Sequence, residues 1–204
     1  MSTSTRNAIK KIWPYELPAY RPELLAKLVF CFENDPEKDG HISGAQDAIG
    51  ICMPGLNRHY YDGHYWPERI ESCLDEKILA WLEEHICLVE MFPRRAGVSV
   101  IAGSDITEAG VKALTSAAER CWTAIMSCDL KAFAEAYRAS FEAQTGMFPA
   151  MIQPGVQEYI DKYAAQSGVL AWKMSGAGGG GYLALVCKDK NDFPKEAMEL
   201  KIRR

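Results

Sequence analysis

The stretch Lys173-Met-Ser-Gly-Ala-Gly-Gly-Gly-Gly181 places five glycines within six residues, between two apolar runs typical of β-strands. Glycine loses more conformational freedom on folding than any other residue, so this density needs a reason. One interpretation is a flexible hairpin or bulged turn. The other is a loop whose backbone N–H groups form a concave nest for an anion. A plain hairpin needs only two turn residues, which favours the anion-binding loop.

Two well-known phosphate motifs do not fit this run. No Gly-Lys-Ser or Gly-Lys-Thr follows the glycines, which excludes a P-loop. A strand-like run follows where a dinucleotide-binding fingerprint needs a helix. The loop therefore belongs to a strand–loop–strand unit.

The pattern around this unit predicts an α+β fold. Apolar residues at helical spacing predict several helices, two of them capped by Thr107 and Asp129. Ser43 is predicted to cap a short helix, and Asp62-Gly63 predicts a two-residue hairpin between runs 56–61 and 64–66. Helices are also predicted over 22–32 and 76–84, and strands over 86–91, 169–174 and 182–187.

Composition narrows the class of protein. The 204 residues carry a net charge of −4, which argues against a nucleic-acid binder that neutralises phosphates. No apolar run is long enough to predict a membrane span. The seven cysteines are scattered and no secretory signal precedes them, so we expect reduced thiols and a cytoplasmic protein.

The glycine run resembles the third conserved motif of the GHMP kinases, a superfamily that includes galactokinase, homoserine kinase, mevalonate kinase and phosphomevalonate kinase. It also lies near the C-terminus, where that superfamily keeps the motif. The resemblance implies that Gly176, Gly178, Gly179 and Gly180 help to enclose the phosphates of a bound nucleotide.

A second segment, His41-Ile-Ser-Gly-Ala-Gln-Asp-Ala-Ile-Gly50, is similar to the Gly-x-Gln-Asp helix of the sugar branch, which includes heptose-phosphate and fucose kinases. The resemblance implies that Asp47 is the catalytic carboxylate that faces the substrate hydroxyl. From the residue alone, an aspartate in a first helical turn has another explanation, because it stabilises its own helix electrostatically.

A third segment, Met1 to Lys10, looks like the back half of the superfamily's phosphate-loop motif. The resemblance implies that Ser2, Thr3, Ser4 and Thr5 bind the nucleotide, and that Ser4 and Glu33 hold Mg²⁺. The alternatives are a solvated N-terminus and a surface carboxylate. Since the chain starts inside this motif, we expect the preceding strands and adenine pocket to be absent from it.

Together these matches predict a partial N-terminal, ribosomal S5-like kinase domain over 1–84 and a GHMP kinase C-terminal domain over 85–204. The expected function is ATP- and Mg²⁺-dependent phosphorylation of a hydroxyl on a small sugar or sugar phosphate. A mevalonate-type kinase is an alternative. Another is a non-catalytic remnant or subunit, and we expect either a homodimer or a separate N-terminal polypeptide as partner.

Overall fold

The computed structural model describes residues 9–11, 13, 15–35, 43–93, 101, 103–176 and 178–204. The chain divides into two compact units, the first formed by Met1–Asp75 with Ile202–Arg204 and the second by Glu76–Lys201. The family-based boundary between residues 84 and 85 stays a prediction.

The first unit is built around two helices, α1 (Pro22–Glu33) and α2 (Gln46–Cys52). Proline suits the start of α1 because the first helical N–H has no partner inside the helix. The buried residues of this unit form one small core, composed of Ile9, Ala26, Val29, Ala45, Ala48, Ile49 and Cys52. The helix predicted over 22–32 is confirmed.

A two-stranded antiparallel hairpin completes the first unit, with β1 (Leu56–Tyr60) paired to β2 (Arg69–Cys73). The predicted two-residue turn and the strand over 64–66 are wrong, because residues 61–68 form a longer loop. In that loop the Asp62 carboxylate accepts a hydrogen bond from the backbone N–H of His64, over 3.3 Å. Pro67 has no N–H to give to a ladder, so pairing resumes only beyond it.

The second unit opens with α3 (Glu76–His85), β3 (Ile86–Glu90), α4 (Glu108–Met126) and α5 (Leu130–Met147). Thr107 Oγ1 accepts a hydrogen bond from the Gly110 N–H, and Asp129 Oδ1 accepts one from the Ala132 N–H, each over 3.0 Å. Both predicted N-caps are confirmed.

The remaining elements are α6 (Val156–Ala164), β4 (Val169–Met174), β5 (Tyr182–Cys187) and β6 (Met198–Glu199). The strands form an antiparallel sheet in the order β4-β5-β3-β6. Its core joins residues of the sheet to α5 and α6, among them Val89, Phe141, Ile160, Tyr163 and Leu185. Strands β4 and β5 have the predicted bounds.

The architecture is therefore α+β, as predicted. A small antiparallel sheet packs with helices, and the glycine run joins two of its neighbouring strands. Within the described ranges, no helix has both the length and the apolar character that a membrane crossing requires.

Candidate functional site

The glycine loop, residues 175–181, connects β4 to β5, and its backbone angles account for its glycine content. Gly176, Gly178, Gly179, Gly180 and Gly181 have φ values of +75°, +81°, +75°, +132° and +89°. L-residues with a side chain rarely adopt this half of φ space, because their Cβ meets the backbone. Five glycines are therefore a requirement of the backbone path.

Hydrogen bonds hold the loop against the body of the second unit. The Gly179 N–H donates to Met151 O over 3.0 Å, and the Gly181 N–H donates to Phe92 O over 2.9 Å. The carbonyl of Gly181 accepts from Met91 N–H over 2.8 Å. Residues 178–180 are buried. The loop is thus a long connection between two antiparallel strands, held to the second unit by these backbone hydrogen bonds.

One side of the loop is closed and the other is open. A Cβ built on Gly178 would lie 2.9 Å from Met151 Cβ, whereas a Cβ on Gly176 or Gly181 would meet nothing within 4 Å. No described residue accepts a hydrogen bond from the amides of Gly176 or Gly180. Backbone amides in turn conformations can form anion-binding nests, and these two are loop donors without an acceptor among the described residues.

Lys173, just before the loop, fixes β4 to α5. Its Nζ donates to the Oγ of the buried Ser140 over 2.6 Å. Desolvation lowers the pKa of this ammonium group, while it raises the pKa of the nearby Cys121 thiol to about 11. Sequence reasoning gave Lys173 no role, although a lone charge in the apolar strand Val169–Met174 was a usable signal.

Asp47 lies in the first unit, in the first turn of α2, and is exposed. The predicted cap Ser43 is wrong, since the helix begins at Gln46 without any side-chain cap. The Ser43 backbone N–H instead donates to Asn34 Oδ1 over 2.6 Å. The other end of α2 is fixed by Arg203, whose Nη1 donates to Ile51 O. Asp47 is thus presented to solvent by an anchored helix.

Of the two residues predicted to hold Mg²⁺, only Glu33 is described. It is the last residue of α1 and is half-buried. Ser4 lies outside the described residues, as do Ser2, Thr3 and Thr5. Over the ranges that are described, no group of three or more His, Cys, Asp or Glu residues is placed to hold a metal ion.

The predicted site residues therefore fall into two groups. The four glycines share one loop of the second unit, where the backbone geometry accounts for them. Asp47 and Glu33 belong to the first unit, on helices that pack through the same small core.

A comparison with protein families finds a match within the second unit. The family model described as "GHMP kinases C terminal" matches residues 127–201, a range that contains Lys173 and the whole glycine loop. Residues 127–201 are therefore similar to the C-terminal part of the GHMP kinases. Asp47 and Glu33 lie outside the matched range. No curated protein matches the sequence.

Solved sugar kinases and a mevalonate kinase share the fold across most of the chain. A D-glycero-D-manno-heptose 1-phosphate kinase from Bacteroides thetaiotaomicron is 15% identical, with a TM-score of 0.58 over 96% of this chain. Galactokinase from Lactococcus lactis, solved with galactose, is 16% identical, with a TM-score of 0.62 over 90%. A mevalonate kinase is 14% identical, with a TM-score of 0.58 over 95%.

The chain is much shorter than these solved kinases. It covers 56% of the heptose 1-phosphate kinase chain, 55% of the galactokinase chain and 59% of the mevalonate kinase chain. The chain therefore spans slightly more than half the length of the proteins whose fold it shares.

Proposed function

We propose that this chain is the phosphate-binding part of an ATP-dependent small-molecule kinase that phosphorylates a hydroxyl of a sugar or sugar phosphate. The observation that carries the proposal is the glycine loop, which lies inside the GHMP-matched segment and keeps five positive φ angles in a fixed, hydrogen-bonded path. A rigid set of donors suits phosphoryl transfer, which relies on positioning and on charge stabilisation.

The residues of the loop fit a nucleotide. Its open side, at Gly176 and Gly181, leaves room for phosphate oxygens, and the amides of Gly176 and Gly180 are the donors assigned to them. When bound, ATP supplies the γ-phosphoryl group, and Mg²⁺ neutralises charge on its phosphates. The Glu33 carboxylate carries oxygen atoms, the ligands that Mg²⁺ prefers, and Mg²⁺ sites commonly use one or two carboxylates.

Asp47 has the second role in this proposal. Its exposed carboxylate would hold the acceptor hydroxyl by a hydrogen bond and take up its proton as the oxygen attacks phosphorus. An Asp47→Asn chain keeps the shape of the side chain but loses the base. We therefore expect it to keep nucleotide binding and to lose phosphate transfer.

The choice of acceptor rests on relatives whose identity is low. Two of the solved neighbours are sugar kinases by their descriptions, and the third is a mevalonate kinase with a similar TM-score. We propose a sugar-type acceptor because the Gln46-Asp47 pair resembles the sugar branch, and we keep mevalonate as the competing acceptor. All seven cysteines are free thiols, which supports a reducing compartment such as the cytoplasm.

The test is thermal unfolding of the full chain with and without millimolar Mg·ATP. A ligand at a hundred times its dissociation constant stabilises the folded state by about 2.7 kcal/mol. Gly176→Asp and Gly176→Asn form a matched pair, since both residues tolerate φ > 0 and they differ by one negative charge. The proposal predicts stabilisation of the wild type and of Gly176→Asn, and a clear loss in Gly176→Asp. Equal behaviour of the two variants would contradict it.

We also propose that catalysis by this chain involves a partner, either a separate polypeptide or a second copy of itself. Sedimentation equilibrium separates the two partners. Under this proposal, the chain alone shows no ATP-dependent transfer, and a supplied N-terminal half of a sugar kinase restores it.

A further inference from the structure

Lys173 is a half-buried cation that the chain itself does not neutralise. It lies on β4, two residues before the glycine loop begins, and its Nζ donates to the Oγ of the buried Ser140 over 2.6 Å. Among the residues that the structure describes, it has no other hydrogen-bond partner and no carboxylate pairs with it. A charge taken out of water without an opposite charge costs free energy, so this ammonium group needs an explanation.

The helix that holds Lys173 leads to the glycine loop. From Ser140, α5 continues to its end at Met147. Met151, four residues further along the chain, accepts the Gly179 N–H of the loop over 3.0 Å. Strand β4 and helix α5 therefore run in the same direction from the contact between Lys173 and Ser140, and both arrive at the loop. The ammonium group lies beside the end of the strand that opens into the loop.

Gln144 is a second polar residue in this region whose hydrogen bonding is incomplete. It lies one turn beyond Ser140 on the same face of α5, about 6 Å along the helix. Two residues of strand, from Lys173 to Ser175, span a similar length, so Gln144 is level with the start of the loop. Its Oε1 is buried and has no hydrogen-bond partner among the described residues. Since buried polar groups are normally paired, the chain alone does not satisfy the polar groups beside the loop.

We propose that Lys173 provides the counter-charge for a phosphate group bound at the glycine loop. The loop amides hold the phosphate oxygens, and the ammonium group compensates their charge through space. At a separation of about 10 Å in a partly buried setting, one unit charge changes the affinity for another about tenfold. Burial lowers the pKa of Lys173, and a nearby phosphate would oppose that shift because it favours the charged form. The inference rests on the proposed function, which takes this loop to be the phosphate site.

The experiment measures two quantities in the full chain and in Lys173→Met, which removes the charge and keeps a long side chain. Isothermal titration calorimetry should show that the variant binds Mg·ATP about tenfold more weakly. Urea denaturation without ligand should show that the variant is at least as stable as the wild type, because replacing an unpaired buried charge by an apolar group is often neutral or stabilising. A residue that only supports the fold would lower stability instead.

The matched control is Lys188→Met, which removes the same charge at the opposite end of the β4–β5 hairpin. Lys188 is exposed, and its backbone N–H donates to Gly168 O over 3.0 Å. This variant should bind Mg·ATP like the wild type. Lys173→Gln keeps a donor for Ser140 without the charge and should repeat the result of Lys173→Met.

Two results would overturn the inference and leave the proposed function standing. One is equal affinity of the Lys173→Met and Lys188→Met chains for Mg·ATP. The other is a loss of stability in both Lys173 variants that accompanies their loss of affinity, which would make Lys173 a structural residue only. If the wild type does not bind Mg·ATP at all, the inference and the proposed function fall together.

Discussion

The glycine loop and the helix that carries Asp47 were identified by the same kind of resemblance, yet they differ in burial and in the hydrogen bonds that hold them. The loop is buried at residues 178–180 and held by hydrogen bonds to Met151 and Phe92. Asp47 is exposed on a helix of seven residues that begins without a side-chain cap. The family match includes the loop and does not extend to Asp47.

The difference shows which features of a site leave a physical mark on one sequence. A backbone path with φ > 0 at five positions can be built only from particular residues, so it fixes composition. A carboxylate in the first turn of a helix satisfies a general electrostatic preference whether or not it is catalytic. The backbone path of the loop therefore accounts for its glycines, whereas Asp47 is explained equally well by helix stability and by the proposed reaction.

The largest effect is expected at Gly178. In Gly178→Ala, the alanine would have to adopt φ = +81°, and its Cβ would lie 2.9 Å from Met151 Cβ. Left-handed strain and overpacking together should lower the free energy of unfolding by about 2–5 kcal/mol. Urea denaturation measures this loss.

Gly176→Ala is the control for that prediction. Its φ of +75° is similar, but a Cβ there meets nothing within 4 Å. The expected loss is the strain alone, about 1–2 kcal/mol. If the two variants are equally stable, the loop does not pack on Met151 as described.

The next effect concerns the helix that supports the loop strand. Asp129 Oδ1 caps α5, the helix whose Ser140 holds Lys173. Asp129→Ala should lower stability by about 1 kcal/mol, because the cap satisfies a helix N–H. Ser43→Ala, at the uncapped helix of the first unit, should change stability by less than about 0.5 kcal/mol. A reversed order in urea denaturation would refute the assignment of the caps.

A smaller effect on stability is expected at Asp47. Asp47→Asn removes a negative charge from the first turn of α2, which should cost about 0.3–1 kcal/mol. The proposed catalytic role predicts a loss of phosphate transfer far larger than this loss of stability. Paired measurements of thermal unfolding and of transfer to a sugar test it, and normal transfer by the variant would remove Asp47 from the mechanism.

The smallest effect is a dependence on acid that lies outside the candidate site. Glu196 accepts hydrogen bonds from Lys162 Nζ over 2.7 Å and from Tyr163 over 2.9 Å, and the ammonium group of Lys162 lowers the pKa of its carboxyl to about 2. A lowered folded pKa stabilises the protein above the unfolded pKa of about 4.5, and this contribution is lost as the pH falls toward 2. In Glu196→Gln, the free energy of unfolding should depend less on pH between these two values. An unchanged acid slope in the variant would contradict the assignment.

The sequence was sufficient where local chemistry decides the structure. The caps at Thr107 and Asp129 and the strands on both sides of the glycine run have the predicted positions. The errors occur where a residue farther along the chain overrides a local signal. The backbone N–H of Ser43 donates to Asn34 Oδ1, and Ser43 does not cap α2. Strand pairing resumes only after Pro67, so Asp62-Gly63 does not form the predicted two-residue turn.

The site was predictable only in part for a similar reason. The loop glycines are explained by their own backbone angles, so a run of glycines was enough to find them. The contact between Lys173 and Ser140 joins residues 33 positions apart in the chain, and a single sequence gives no sign of the partner.

The most direct test of the central claim is a titration of the full chain with Mg·ATP, followed by the backbone amide resonances of the glycine loop. We expect the amide resonances of Gly176 and Gly180 to shift strongly on binding. The amides of Gly179 and Gly181 should shift much less, because they already donate to Met151 and Phe92. If Mg·ATP binds and no amide of this loop responds, the loop is not the phosphate site.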